Sequence, residues 1–390
     1  MVGAVRQLAL RVFVMPVRPS IFGFACLMLA ATWCQESVHA EDSTAPAPIY
    51  PRALAHGDTI MFIAPAKYLD EPRNQLAKIR LERRGFKVRF PKTLFRKHGY
   101  LAGSDQERAA EIMAAFNDPE VDAIFPGTGG YGTTRIVDDL DYAAIRRNPK
   151  VLIGFSDITA LHVAINQKTG LVTFHTPNPE YGLGNPDNLK PWAAKWFWRA
   201  LLANEYDKQP GYLIAAKPTK QQVAENKKLY ADVPSAITLA PGTARGKLIG
   251  GNLSVVHALM GTPFEIQTDG RILFLEDVGE DPYRVDRMLS TLKLAGKFDH
   301  LAGAILGCFT SREEEQPWSD DWSMNDVLAE YFAELGVPVI QQFPAGHVPY
   351  NTTLPIGVET ELDATIGTVR LLENPVRLPE SKRAAKNVSS

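Results

Sequence analysis

Cysteine is scarce in this chain: 390 residues carry three, and two of them, Cys26 and Cys34, lie close to the N-terminus. The third, Cys308, can form no internal disulfide by itself and cannot build a thiolate metal site. In its apolar run it reads as a core residue. An excess of charge of one sign is missing too. A net charge of −2 leaves no electrostatic case for nucleic acid or an anionic membrane surface. No apolar run reaches the roughly 20 residues that a membrane-spanning helix needs. Internal repeats, heptad seams and long charge blocks are absent as well. What is present, 45% hydrophobic and 22% charged residues, is ordinary globular composition. The length allows about two domains.

The N-terminus has the layout of a secretory leader. Arg6, Arg11 and Arg18 precede an apolar stretch from Ile21 to Trp33, and the small-residue pattern Val38-His39-Ala40 follows. Residues 1–40 are therefore expected to be a signal peptide cleaved after Ala40, with an exported, periplasmic destination for the mature chain. The apolar core falls short of the roughly 20 residues that span a bilayer, which makes a retained anchor the less favoured alternative to cleavage. Trp33 before Cys34 argues against lipid attachment, which wants a small residue there. Cleavage would remove three arginines and Glu36, moving the net charge from −2 to −4.

Residues 41–57, with Pro46, Pro48 and Pro51, read as a Pro/Ala-rich linker. From Asp58 to Asn178 strands and helices alternate. Strands are expected at Thr59–Ala64, Lys87–Phe90, Ala123–Phe125, Val151–Ile153 and Leu171–Phe174. Helices are expected at Asn74–Arg84, stopped by Gly85, and from the capping box Ser104/Glu107 through Phe116. That alternation predicts an α/β fold with a parallel, Rossmann-like sheet covered on both faces. Residues 179–243 are dense in Gly, Pro and Asn, carry a Trp-rich helix at Trp192–Leu202, and read as a linker with an irregular insertion. A smaller α/β domain is expected over 244–376. Its strands would lie at Lys247–Ile249, Ile272–Leu275, Ala304–Leu306 and Val358–Leu362, and its helices at Leu253–Met260, Tyr283–Leu294 and Asn325–Leu335. Residues 377–390 read as a disordered polar tail.

Three strand ends carry candidate chemistry. Gly154-Phe155-Ser156-Asp157-Ile158-Thr159 follows the apolar run Val151–Ile153, a sharp strand-to-helix turn that would hold a hydroxyl at the sheet rim. Ser156 or Asp157 as a simple helix cap is the plainer alternative. Ile272–Leu275 ends in Glu276-Asp277, carboxylates that are costly to bury unless hydrogen-bonded or used; Asp277 or Asp281 could cap the following helix and leave Glu276 free. His347 sits after Gly346 in a Pro-flanked loop past Val339-Ile340. The glycine-rich stretch Pro126 to Gly132 satisfies G-x-G-x-x-G at Gly127, Gly129 and Gly132. It follows the third strand rather than the first, however, and no acidic residue ends the next strand to bind a ribose. An oxyanion-binding turn is the other reading of those glycines. The order Ser, acid, His is one known way to assemble a triad, although Ile158 breaks G-x-S-x-G and disfavours a standard α/β-hydrolase.

Gly129-Gly130-Tyr131-Gly132, Gly154 through Ala160, Gly250-Gly251-Asn252-Leu253, Leu273 through Asp277 with Pro282 through Arg287, and Gly346-His347 occur in this order. Over Asp58 to Pro375 the chain thereby resembles the LD-carboxypeptidase serine peptidases, a family that includes murein tetrapeptide carboxypeptidases and microcin C self-immunity peptidases. The resemblance implies a triad of Ser156, His347 and Glu276. It also implies an oxyanion hole from the N–H groups of Asp157 and Gly130, with Gly129 as the alternative. It further implies no metal or other cofactor, a homodimer, and a murein tetrapeptide or related peptide as substrate, cut before its terminal D-Ala. Two features depart from the family pattern. Thr128 stands where members commonly have Arg, and well-known members lack an export signal. Two other functions fit parts of the chain. A microcin-type amidase acting on aminoacyl-nucleotide mimics would need stacking rings such as Tyr181 and Trp192. A non-catalytic exported solute-binding protein would give Ser156, Glu276 and His347 no reason to meet.

Overall fold

The computed structural model describes residues 46–203, 211–216, 218–231, 233–310 and 322–378. Residues 1–40, expected to be a signal peptide, and nearly all of the expected tail 377–390 lie outside the described residues. The first half runs β1 (Thr59–Ile63), α1 (Glu71–Arg83), β2 (Lys87–Arg89), α2 (Asp105–Asn117), β3 (Ala123–Pro126), α3 (Tyr142–Arg147), β4 (Val151–Gly154), α4 (Thr159–Thr169), β5 (Thr173–His175) and α5 (Pro191–Leu201). It continues through β6 (Tyr212–Ala215), α6 (Lys220–Glu225), α7 (Lys227–Tyr230), β7 (Ile237–Ala240), β8 (Thr243–Asn252), α8 (Leu253–Ala258), β9 (Ile272–Val278) and α9 (Pro282–Leu294). Last come β10 (Gly303–Thr310), α10 (Met324–Phe332), β11 (Val339–Gln341), β12 (Leu354–Ile356), β13 (Glu359–Asp363) and β14 (Thr368–Leu371).

Local chemistry accounts for the helix ends. Asp70 accepts the N–H of Arg73 at 3.0 Å, and Pro72 in the first turn needs no acceptor. At the head of α2, Glu107 N donates to Ser104 Oγ at 3.2 Å, and Ser104 N donates to Glu107 Oε2 at 2.7 Å. That reciprocal pair is the capping box expected from the sequence.

The first sheet has the order β12-β5-β4-β3-β1-β2, parallel throughout except for β12, which pairs antiparallel with β5. The second is mixed, in the order β6-β14-β13-β8-β9-β10-β11-β7, with a parallel centre from β8 to β11. Segment 179–243, read as linker and irregular insertion, thus supplies both edge strands of the second sheet, β6 and β7. Strand β12 crosses the other way, leaving the second half of the chain to pair with β5. One buried cluster includes Ile153 and Phe174 of the first sheet with Ile272 and Phe274 of the second. Another joins Ile158 and Leu161 to Ile249 and Leu273. Shared apolar burial at roughly 25 cal/mol per Å² resists separation of the halves. A polar contact adds to it: Asn252 N, at the end of β8, donates to Thr159 Oγ1 at 3.0 Å.

Candidate active site

At the end of β4 the backbone is held from several sides before it reaches Ser156. His162 Nε2 on α4 donates to Gly154 O at 2.9 Å, and Phe155 N donates to Asn178 Oδ1 at 3.2 Å. Ser156 then adopts φ +62°, in the left-handed region that non-glycine residues rarely enter. Its side chain makes no capping bond to the turn Ser156–Ile158 or to α4, so the capping alternative fails. The hydroxyl instead lines a cavity of about 760 Å³ shared with Lys67, Gly129, Gly130, Asn178, Tyr181 and His347.

Two N–H groups beside Ser156, those of Gly130 and Asp157, have no acceptor among the described residues. Gly130 sits at φ +108°, and Gly129 lies so near the nucleophile turn that an added Cβ would come within 3.1 Å of Ser156 Cβ. The glycine-rich loop is anchored by side chains whose roles were not legible in the sequence. Buried Arg108 donates to Gly132 O at 2.8 Å and also to Pro65 O. Thr133 N donates to Asp157 Oδ2 at 2.9 Å, and the Thr133 hydroxyl donates to Asp157 O. Burial raises the Asp157 carboxyl above its ordinary pKa, against the opposing hydrogen bonds from Thr133 and Gly132. The backbone and side chain of Asp157 thus have separate tasks.

The neighbouring carboxylates Glu276 and Asp277 diverge, as alternating strand residues must. Glu276 is fully buried, and its Oε2 accepts His347 Nδ1–H at 2.7 Å. Asp277 instead accepts Asn252 Nδ2 at 2.9 Å and Ser254 N at 2.8 Å, which ties the head of α8 to β9. Burial raises its carboxyl pKa too. Asp281 occupies the N-cap position of α9 without a side-chain capping bond. Gly346 has φ +117°, and an added Cβ would meet Glu276 Oε2 at 2.8 Å, so a side chain there would displace the carboxylate. The His347 ring lies 4.6 Å, centroid to centroid, from that of Phe155, the residue preceding Ser156. Ser156 and His347 therefore line one cavity, with Glu276 buried behind the imidazole. The Glu276–His347 link is closed, while no hydrogen bond within 3.5 Å joins Ser156 to the imidazole.

Two expectations need correction. Cys308 is only half-buried: its strand β10 ends beside the His347 loop, where Cys308 N donates to Ala345 O at 2.9 Å. Desolvation pushes its thiol up to about 11. Trp192 is no stacking platform. It is 1% exposed, and its indole N–H donates to Thr352 Oγ1 at 2.7 Å. Tyr181, 49% exposed, does line the cavity. Arg284 is an exposed helix residue near Glu280 and Asp281.

Residues 60–176 match the LD-carboxypeptidase N-terminal domain, and residues 245–362 match the C-terminal domain of the same family. The chain belongs to the LD-carboxypeptidase family. It is a hydrolase of the serine carboxypeptidase type. A probable murein peptide carboxypeptidase of Bacillus subtilis is 38% identical over 318 residues, covering 80% of this chain and 91% of the relative. The microcin C7 self-immunity protein MccF of Escherichia coli is 31% identical over 336 residues, covering 81% and 93%. Among solved structures, MccF in complex with glutamyl sulfamoyl guanosine superposes with a TM-score of 0.73 at 28% identity, covering 85% of this chain and all (100%) of that one. A muramoyltetrapeptide carboxypeptidase from Oxalobacter formigenes gives 0.66 at 28% identity, covering 80% and 97%.

Proposed function

We propose that this protein is an exported LD-carboxypeptidase that removes the terminal D-Ala from murein tetrapeptides by acyl-enzyme catalysis. The observation that carries the reading is the 2.7 Å contact from His347 Nδ1 to the buried Glu276, with the imidazole in the same cavity as Ser156. His347 Nε2 takes the Ser156 proton as Oγ attacks the carbonyl of the diamino acid. The same nitrogen returns the proton to the departing D-Ala nitrogen, and water then releases the acyl group by the reverse logic. Glu276 fixes the tautomer and offsets the imidazolium charge. The N–H groups of Asp157 and Gly130 face the developing oxyanion, each donor worth about 3 kcal/mol in comparable sites. The serine–imidazole link closes when substrate orders the mouth, as catalytic hydrogen bonds often tighten only in the bound complex.

The leader-like N-terminus supports export, which would bring the enzyme to wall peptides, and the homodimer implied by the family resemblance belongs to the same proposal. The test is release of D-Ala from purified stem tetrapeptide by the mature protein, followed by chromatography. Full activity in Ser156→Ala would end the assignment. Aminoacyl sulfamoyl adenosine serves as a second substrate in the same assay. Burial of Trp192 removes one of the two rings that a nucleotide-directed amidase would use, so tetrapeptide is expected to be the better substrate.

A further inference from the structure

A carboxypeptidase must find a free carboxylate one carbon beyond the scissile nitrogen, and two cationic side chains, Lys67 and Lys190, line the cavity that holds Ser156. Lys67 alone rests on the glycine-rich loop. An added Cβ on Gly130 would lie 2.8 Å from its Cγ and Cδ and 3.0 Å from its Cβ, so its stem crosses the face of Gly130. Lys67 N also donates to Gly129 O at 3.4 Å, which fixes the origin of the side chain on the same loop. We propose that Lys67 is the specificity-determining residue that binds the α-carboxylate of the departing D-Ala. The inference rests on the carboxypeptidase reading above.

The surroundings keep the ammonium charged and available. Its stem is apolar and rests on backbone, an arrangement that suits a long cationic side chain with its head in water. Nζ is ion-paired with Glu180 Oε1 at 3.7 Å, beyond direct hydrogen-bond distance, and donates to Tyr181 Oη at 3.3 Å. An ammonium has three donors, so the Tyr181 contact leaves capacity for an incoming carboxylate. Burial lowers the Lys67 pKa, but the neighbouring Tyr181 and Glu180 outweigh it and leave the group above its ordinary value. The other Glu180 oxygen, Oε2, accepts Asp70 N at 3.2 Å, which fixes the carboxylate beside the ammonium. Thr128, in the same loop, is fully buried and brings no charge to the cavity.

The experiment compares a stem tetrapeptide with its C-terminal D-alanine amide, for the mature protein and for Lys67→Met and Lys67→Arg. Charge-assisted hydrogen bonds of this kind correspond to about 10- to 100-fold in binding. Wild type is expected to prefer the acid by that factor. Lys67→Met should lose it through KM with kcat little changed, because the contact forms equally in ground and transition states. Cleavage of the amide should move by less than about 3-fold, and Lys67→Arg should restore most of the preference. A Lys67→Met enzyme that still prefers the acid, or that slows on both peptides alike, overturns the inference and leaves the carboxypeptidase reading standing. A wild-type protein that cleaves neither peptide overturns both.

Discussion

At the end of β4 the chain presents Ser156 by backbone strain. Across the cavity, β9 and the loop after β11 present Glu276 and His347 through one side-chain hydrogen bond. The nucleophile turn is local: Gly154, Phe155 and Ser156 are consecutive, and α4 begins within the next turn to hold the φ of +62° in place. The acid–base pair joins residues 71 apart in sequence through a 2.7 Å contact. The first arrangement stores its geometry in the fold around it, with His162, Asn178 and Asp157 each bonded to the turn or to the glycine-rich loop. The second is preformed in the structure. The difference teaches that substitutions around Ser156 should act on stability and activity together, whereas substitutions in the pair should act mainly on chemistry.

The severest break in that contrast is Ser156→Ala. Loss of kcat on the order of 10⁴-fold or more is expected, with a melting temperature close to wild type, because alanine inherits the strain that serine already bears. Steady-state D-Ala release and calorimetry check the two halves. Glu276→Gln comes next, with kcat lower by about 10²- to 10⁴-fold and KM nearly unchanged, since the amide can no longer hold the imidazole in its productive tautomer. Unchanged turnover in that variant would remove Glu276 from the mechanism. Asp157→Ala tests the other side. It leaves the Thr133 N–H without its buried acceptor and should lower stability by about 1–3 kcal/mol, together with a fall in kcat as the Gly130 loop loosens. Chemical denaturation would read the first effect and initial rates the second.

The smallest effect concerns pH. Burial lowers the His162 pKa to about 4 from 6.5, so the unfolded chain binds this proton more readily than the native one. Stability from this group is therefore complete above pH 6.5 and is lost as pH falls toward 4, by up to about 3 kcal/mol. His162→Gln should flatten the slope of unfolding free energy against pH in that window by about one proton. Burial lowers the His175 pKa as well, so some slope should remain in the variant.

Much of the parallel first sheet was readable because apolar strands and capped helices repeat at short range, as at β4 and the Ser104/Glu107 box. The same applies to β9 and α9, whose patterns are strong. Strand β12, only three residues at Leu354–Ile356, carries too little periodicity to reveal that it joins the first sheet rather than the second. Segment 179–243 misled for a related reason: β6 and β7 are short edge strands among Gly, Pro and polar residues, and their partners lie far away in sequence. Lys67 and Arg108 carried no motif at all. Their relevance comes from contacts with the glycine-rich loop across the sheet edge.

By itself the amino-acid order determined the α/β alternation, the sharp turn at Ser156 and the placement of Glu276 and His347 at the ends of apolar strands, because those properties arise from neighbours within a few residues. Only the tertiary structure decided that Asp277 turns to Asn252 and Ser254 at the head of α8, that Trp192 is sealed in the core, and that the Lys67 stem crosses Gly130. Those outcomes depend on which segments pack together, and long-range packing is governed by the summed burial of both sheets rather than by any one stretch of residues.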